Sequence, residues 1–405
     1  MIVTRGSMFV KLGQTPMMAD PTHCSARHAH GTSTERKKHS KMSESLSYPD
    51  HILHLKPYVP GLPIEDLARR LGVEPSSIVK LASNENPQGA SPRALAALAA
   101  ARIDLSRYPD NDCTNLVGAI SRRHDVPCDW VVCGAGSEAV IGNAVSTMLT
   151  TGRKTLYSQY SFQAYVGACQ RVGATPIVVP SPAFAVDLGA MRAQLSNGVS
   201  LIYIANPGNP TGTAVDPDDL AAFVASVPQS VVVILDEAYF EYMPEAIRGD
   251  SIALVRKHPN LLVSRTFSKA YGLAGLRVGY GIAQAPLAEM LRRARAPFSV
   301  SESAQIAAEA ALDDGEFIAR TVQLNRECQK MLHAALDRLR INYLPSTTNF
   351  VLAEVGDGAA LARRLERHSL IVRPVNSYGL PNWVRFSLGT VADTERLIHA
   401  LTLTE

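Results

Sequence analysis

Four short apolar runs, residues 130–133, 200–205, 230–235 and 261–263, each break off into a loop of glycine, proline, hydroxyl or carboxylate residues. Apolar runs this short, bounded by turn residues, read as strands buried in a sheet. An apolar helical pattern follows the first of them, to about residue 149. Strands alternating with helices predict a doubly wound, mostly parallel α/β sheet, and such a sheet keeps its ligands beyond the carboxyl ends of its strands. The places where chemistry can stand are thus few before any motif is read.

The loop after 261–263 is the most telling. Residues 264–277 (SRTFSKAYGLAGLR) carry Thr266, Ser268, Lys269, and Arg277 eight positions after the lysine. Alone, Lys269 reads as a solvated surface charge. At a strand end it is also a candidate for covalent attachment to an aldehyde cofactor, with Ser268 and Arg277 able to hold a phosphate. The run 230–235 ends at Asp236, with Tyr239 three residues on. Such a carboxylate can keep a pyridine nitrogen protonated, which makes the ring an electron sink. Read alone, Asp236 caps a helix and Tyr239 is packing. The run 200–205 enters a loop with two prolines, two glycines and two asparagines in seven residues, 206–212, among them Asn209. Its backbone is tightly dictated. The run 130–133 opens into Gly134, Ala135, Gly136, Ser137 and Glu138. Glycine loops at a helix start bind phosphate through free N–H groups and the helix dipole, although a lone G-x-G is often only a turn.

In this order the set resembles the cofactor-binding sequence of pyridoxal-phosphate (PLP) aminotransferases of the aspartate-aminotransferase fold (fold type I), and most closely the histidinol-phosphate aminotransferase family. The spacing runs 27 residues from Asn209 to Asp236 and 33 from Asp236 to Lys269. Two positions depart from the family: Gly208 stands where asparagine is usual, and Ala139 where an acid is usual. The resemblance implies PLP held on Lys269, with Asp236 at the ring nitrogen and Tyr239 and Asn209 at the ring oxygen. It implies Phe162 flat on the ring. Gly136, Ser137, Glu138, Thr266, Ser268 and Arg277 fall to the phosphate. Arg385, in a stretch similar to the family's carboxyl-terminal strand, is implied to grip a carboxylate through its guanidinium fork. Tyr58, Asn84 and Arg373 are implied at the substrate. Tyr108 is implied to reach a partner subunit's phosphate, which makes the working unit a homodimer. The implied reaction moves an amino group from L-histidinol phosphate to 2-oxoglutarate in histidine biosynthesis. An aromatic amino acid aminotransferase and a threonine-phosphate decarboxylase share the same cofactor motifs and stay open. A transcription regulator with an aminotransferase-like domain would need a DNA-binding module ahead of the fold, and the polar first 48 residues lack its helical pattern.

Composition agrees with these expectations. A chain of 405 residues accommodates a large and a small domain. No apolar run approaches the roughly 20 residues of a membrane span. The six cysteines show no C-x-x-C pair, so reduced thiols in the cytoplasm and no metal centre are expected. Residues 1–41 carry a net charge of +5 against −2 for the remainder, with four of the eleven histidines. They read as part of a disordered basic tail, residues 1–48, with Met42 a natural true start. Nothing aromatic or modular in it supports nucleic-acid binding. An arm is expected over 49–90, the large PLP-binding domain over 91–295 and the small domain over 296–405.

Overall fold

Successive residues of the central strands alternate between two separate cores. Val233 and Leu235 join one, Val232 and Ile234 the other; Ile202 and Ile204 join the first, Leu201 and Tyr203 the second. That alternation is what a sheet covered on both faces requires, because successive side chains point to opposite sides. The computed structural model describes residues 46–403 apart from 56, 58 and 59. The basic stretch 1–45 and Tyr58 lie outside the described residues. From Asp50 onward the described residues belong to one compact unit.

The larger sheet has seven strands: β2 (Val131–Gly134), β3 (Lys154–Ser158), β4 (Thr175–Val179), β5 (Val199–Ala205), β6 (Val232–Asp236), β7 (Leu261–Thr266) and β8 (Gly279–Ile282). Their order is β2-β8-β7-β6-β5-β3-β4. The four pairings from β7 through β4 are parallel, and only β8 runs against its neighbours. Helices Thr114–His124, Pro217–Ser226 and Ser251–Lys257 contribute to the first-face core. Ser137–Met148, Gln163–Arg171 and Ala285–Ala294 contribute to the second. Helix Glu302–Leu312 follows the boundary expected at 296, yet its alanines 304, 307, 308 and 311 pack into the first-face core. That core therefore draws on residues from both sides of position 296.

The smaller sheet has five strands: β1 (Val79–Leu81), β9 (Asn342–Tyr343), β10 (Phe350–Glu354), β11 (Leu370–Val375) and β12 (Leu380–Ser387), in the order β1-β11-β12-β10-β9. β1, from the expected arm, lies parallel to β11. Helices Gly315–Arg338, Gly358–Glu366 and Val391–Thr402 supply its core. Among the described residues no helix is long and apolar enough to cross a membrane, no group of three His, Cys, Asp or Glu side chains could hold a metal, and the five cysteines are free.

Gly279 sets how closely the glycine loop approaches the sheet. A Cβ there would stand 2.4 Å from Ser137 N, 2.8 Å from Gly136 C and 2.9 Å from Arg265 O, all backbone atoms. No side-chain rotation can relieve such a contact. Gly279→Ala is expected to cost about 1–3 kcal/mol, read as a lower denaturant midpoint. A midpoint equal to the parent's would show that the loop can move aside.

Candidate active site

β5, β6 and β7 run parallel, so their carboxyl ends deliver three loops to one edge. Asp236 closes β6 and is only 5% exposed. The Tyr203 hydroxyl donates to its Oδ2 at 2.6 Å, while the buried Oδ1 has no hydrogen-bond partner. Burial pushes this carboxyl up to about 6, against the lowering effect of Tyr203 and the Ala238 N–H. Asp236 caps no helix: the next element is the short 3-10 turn Phe240–Tyr242, which has no side-chain cap. Glu237, the next residue, makes a buried ion pair with Arg265 at 2.9 Å and accepts from Ser251 Oγ at 2.9 Å. The Arg265 guanidinium lies 3.6 Å from the Phe240 ring centroid.

Four polar side chains meet beside Asp236. The Tyr239 hydroxyl accepts from Asn84 Nδ2 at 2.9 Å and from Asn209 Nδ2 at 3.3 Å. Burial pushes that hydroxyl up to about 12. Arg385 Nη1 donates to Asn209 Oδ1 and Nη2 to the Ala82 carbonyl, each at 2.7 Å. Arg385 is 7% exposed, so an arginine inside an alternating strand here faces inward rather than to solvent. Asn84 adopts φ 55° and is held by Ser387, whose Oγ accepts from its N–H at 2.9 Å and donates to its Oδ1 at 2.8 Å.

Lys269 is half-buried, and its Nζ donates to the Ser83 carbonyl at 3.0 Å. Nζ lies 5.9 Å from the Tyr239 ring centroid. Desolvation, then the Arg385 charge, lowers the ammonium to about 8; Glu85 and Asp236 oppose this and Arg277 adds to it. The Thr266 hydroxyl accepts from the Ser268 N–H at 3.1 Å. Arg277 Nη1 donates to Ser268 Oγ at 3.3 Å. A Cβ on Gly136 would stand 2.6 Å from Arg277 Nη2, so the guanidinium lies against the glycine loop where Ser137 and Glu138 begin their helix. A helix N-terminus, a hydroxyl and an arginine thus converge as an anion requires.

The remaining expected residues make other contacts. Phe162 precedes helix Gln163–Arg171 and packs on the second-face core. Tyr160, two residues earlier and not assigned a role from sequence, stacks on Phe184 at 5.3 Å, and Phe184 contacts Trp383 at 4.7 Å. Trp383 lies two residues before Arg385 on β12 and so shares its face. Tyr108 is 81% exposed and stacks on Phe298 at 4.7 Å. Arg373 on β11 is the register partner of Arg385, so both point to one face of the smaller sheet. Sequence reasoning passed over Tyr203, Ser83, Ser387 and the Glu237–Arg265 pair. A lone tyrosine in an aliphatic strand was the signal for Tyr203.

The geometry offers an amine lowered to about 8, a buried carboxylate with one unpartnered oxygen and an anion cradle. The pattern of the family "Aminotransferase class I and II" matches residues 76–401. Histidinol-phosphate aminotransferase 2 of Ralstonia nicotianae is 48% identical over 357 residues, 87% of this chain and 96% of that protein. Histidinol-phosphate aminotransferase 1 of Cupriavidus pinatubonensis is 46% identical, covering 87% and 95%. The crystal structure of histidinol-phosphate aminotransferase from Sinorhizobium meliloti in complex with pyridoxal-5'-phosphate superposes with a TM-score of 0.78 at 26% identity, covering 89% of this chain and 98% of that one. An aspartate aminotransferase mutant from Thermus thermophilus, at 19% identity and TM-score 0.75, covers 88% and 100% and shares the fold.

The lysine can be tested without any ligand. Labelling of Lys269 by an amine-reactive reagent is expected to show its inflection near pH 8. Arg385→Gln removes a neighbouring cation and is expected to move the inflection up. An inflection that stays put would show that the two charges do not sense one another.

Proposed function

The chain belongs to the aminotransferase class I and II family, and within it we propose the PLP-dependent transfer of an amino group from L-histidinol phosphate to 2-oxoglutarate. The fold is that of the fold type I aminotransferases. One observation carries the cofactor assignment: the buried Asp236 Oδ1, an acceptor without a partner, stands at the sheet edge that also holds Lys269. A protonated pyridine nitrogen is the donor that fits it. Relatives at 46–48% identity carry the substrate assignment.

PLP, when bound, supplies an aldehyde that takes up an amine and a ring that accepts electrons. The protein's part is to hold and to move protons. Asp236 keeps the proton on the ring nitrogen. Asn209 and Tyr239 hold the ring oxygen. The N–H groups of Gly136, Ser137 and Glu138, with Thr266, Ser268 and Arg277, hold the phosphate. Lys269 would be the point of attachment, and its Nζ would take and return a proton, which its lowered ammonium pKa permits. We assign the aromatic cover to Tyr160, which stacks on Phe184 and through it meets Trp383, on the face of β12 that carries Arg385.

Histidinol phosphate has no carboxylate and 2-oxoglutarate has two. Arg385 serves the donor's phosphate in one half-reaction and the acceptor's carboxylate in the other, with Arg373, Asn84 and Tyr58 assisting. A dianion is costly to desolvate unpaired, so donors lacking the phosphate are disfavoured. The working unit is a homodimer in the cytoplasm. Tyr108 and Phe298 support the dimer, because they form an exposed aromatic pair that a partner subunit would cover.

With purified holoenzyme, kcat/KM for histidinol phosphate is expected to exceed that for histidinol by about ten- to a hundredfold. Arg385→Lys is expected to lower both half-reactions, since a point charge cannot copy the fork. Higher kcat/KM with phenylalanine or tyrosine would replace the substrate assignment with an aromatic one. For the dimer, mixing inactive Lys269→Ala with inactive Tyr108→Ala chains is expected to restore activity through one intact site per heterodimer. No recovery under proven subunit exchange would refute the shared site.

A further inference from the structure

Asp236 is held by a tyrosine that lies outside the cofactor-binding loops. Tyr203 is fully buried on β5, two residues before Ala205, the register partner of Asp236. Parallel pairing puts Tyr203 and Asp236 on one face, about 6.6 Å apart along the strands. The phenol bridges that gap and donates to Oδ2 at 2.6 Å. Its ring has little freedom to turn away. It stacks on Tyr165 at 4.1 Å and 11°, and the Tyr165 hydroxyl is itself bonded to Thr155 on β3. Tyr157 meets Tyr165 edge-on at 5.7 Å. A buried tyrosine stack therefore runs from β3 to the acid.

We propose that Tyr203 is a positioning residue that fixes the Asp236 carboxylate in its charged form and reserves Oδ1 for the cofactor's ring nitrogen. The second half rests on the ring contact proposed above. Each carboxylate oxygen can accept twice, but the phenol fixed on Oδ2 sets the orientation of the group and leaves Oδ1 as the oxygen with no protein donor. The same bond favours the charged form against burial. The other titratable groups acting on Asp236 are Glu237 at its own strand end, which disfavours the charge, and Lys269 after β7, which favours it. Tyr239, in the adjoining loop, senses the Asp236 charge in turn. Tyr203 stays a donor throughout the working pH range, because burial and the neighbouring carboxylate push its own ionisation far up.

The test uses apoprotein carrying carboxyl-¹³C aspartate, with the Asp236 resonance identified by its loss in Asp236→Asn, together with PLP titration of each variant. Tyr203→Phe is expected to raise the Asp236 midpoint and to weaken PLP binding about tenfold. Tyr165→Phe also removes a buried hydroxyl from the stack but leaves Asp236 untouched, so its midpoint and affinity are expected to match the parent's. An unchanged midpoint in Tyr203→Phe, or an equal rise in Tyr165→Phe, overturns the proposal. Should Tyr203→Phe fold poorly, a fluorotyrosine at 203 keeps the ring and strengthens the donor; the midpoint is then expected to fall, and no shift overturns the proposal. A raised midpoint in Tyr203→Phe, with parental PLP affinity in Asp236→Asn, would uphold the tyrosine's hold on the acid and remove the ring contact from the proposed function.

Discussion

A sheet buried on both faces leaves polar chemistry nowhere to stand except at its strand ends. β5, β6 and β7 carry aliphatic side chains into two cores along most of their length. Their last residues and the loops beyond are the first positions at which a charge can find a partner or a cleft. Asp236, Asn209 and Lys269 occupy those positions, on three strands that lie side by side. Hydrophobic covering, rather than any attraction among the polar groups, brings them together. The polar groups then settle into the hydrogen bonds that the edge allows.

The same covering tunes them. Desolvation disfavours the charged form of each group, so it raises the carboxyl and lowers the amine. Asp236 moves up to about 6 and Lys269 down to about 8, two groups that in water titrate far apart. Their mutual attraction works against both shifts, and burial prevails. At neutral pH the aspartate keeps its charge in most molecules, while the lysine gives up its proton in an appreciable fraction. An acid that stays charged and an amine that can act as a base are the pair that proton transfer beside a cationic ring needs.

Legibility in the sequence followed from how local each determinant is. The strands and the order of their loops could be read because short apolar runs and turn residues are local signals. Lys269, Ser268, Arg277, Asp236 and Tyr239 could be singled out for the same reason, as each sits just beyond a run's end, and Asn209 through the resemblance. What escaped notice depends on pairing between distant segments. Tyr203 and Asp236 meet only because β5 and β6 pair in one register. Phe162 was named through the resemblance; the stacking of Tyr160 on Phe184, which meets Trp383 of β12, depends on segments far apart in the chain. That Ala304 and its neighbours belong to the larger sheet's core could not be seen either, since Glu302–Leu312 meets Pro92–Ala100 and Thr114–His124 across some two hundred residues.

Arg385 shows how the two sheets become one site. It stands on β12 of the smaller sheet, yet its guanidinium bonds Asn209 in the loop that leaves β5 of the larger one, and the carbonyl of Ala82 next to β1. A buried guanidinium is tolerated only where several of its donors find acceptors. Asn209 satisfies one of them and at the same time donates to the Tyr239 hydroxyl. Asn84 donates to that hydroxyl too, and Ser387, two residues beyond Arg385, holds Asn84. The circuit closes through residues of both sheets, and each member is fixed by a partner on a different element. On the proposed function, a substrate anion that draws on Arg385 would act on Asn209, and through it on the Tyr239 phenol. The substrate and cofactor contacts proposed above would then be two ends of one hydrogen-bonded chain, Arg385–Asn209–Tyr239.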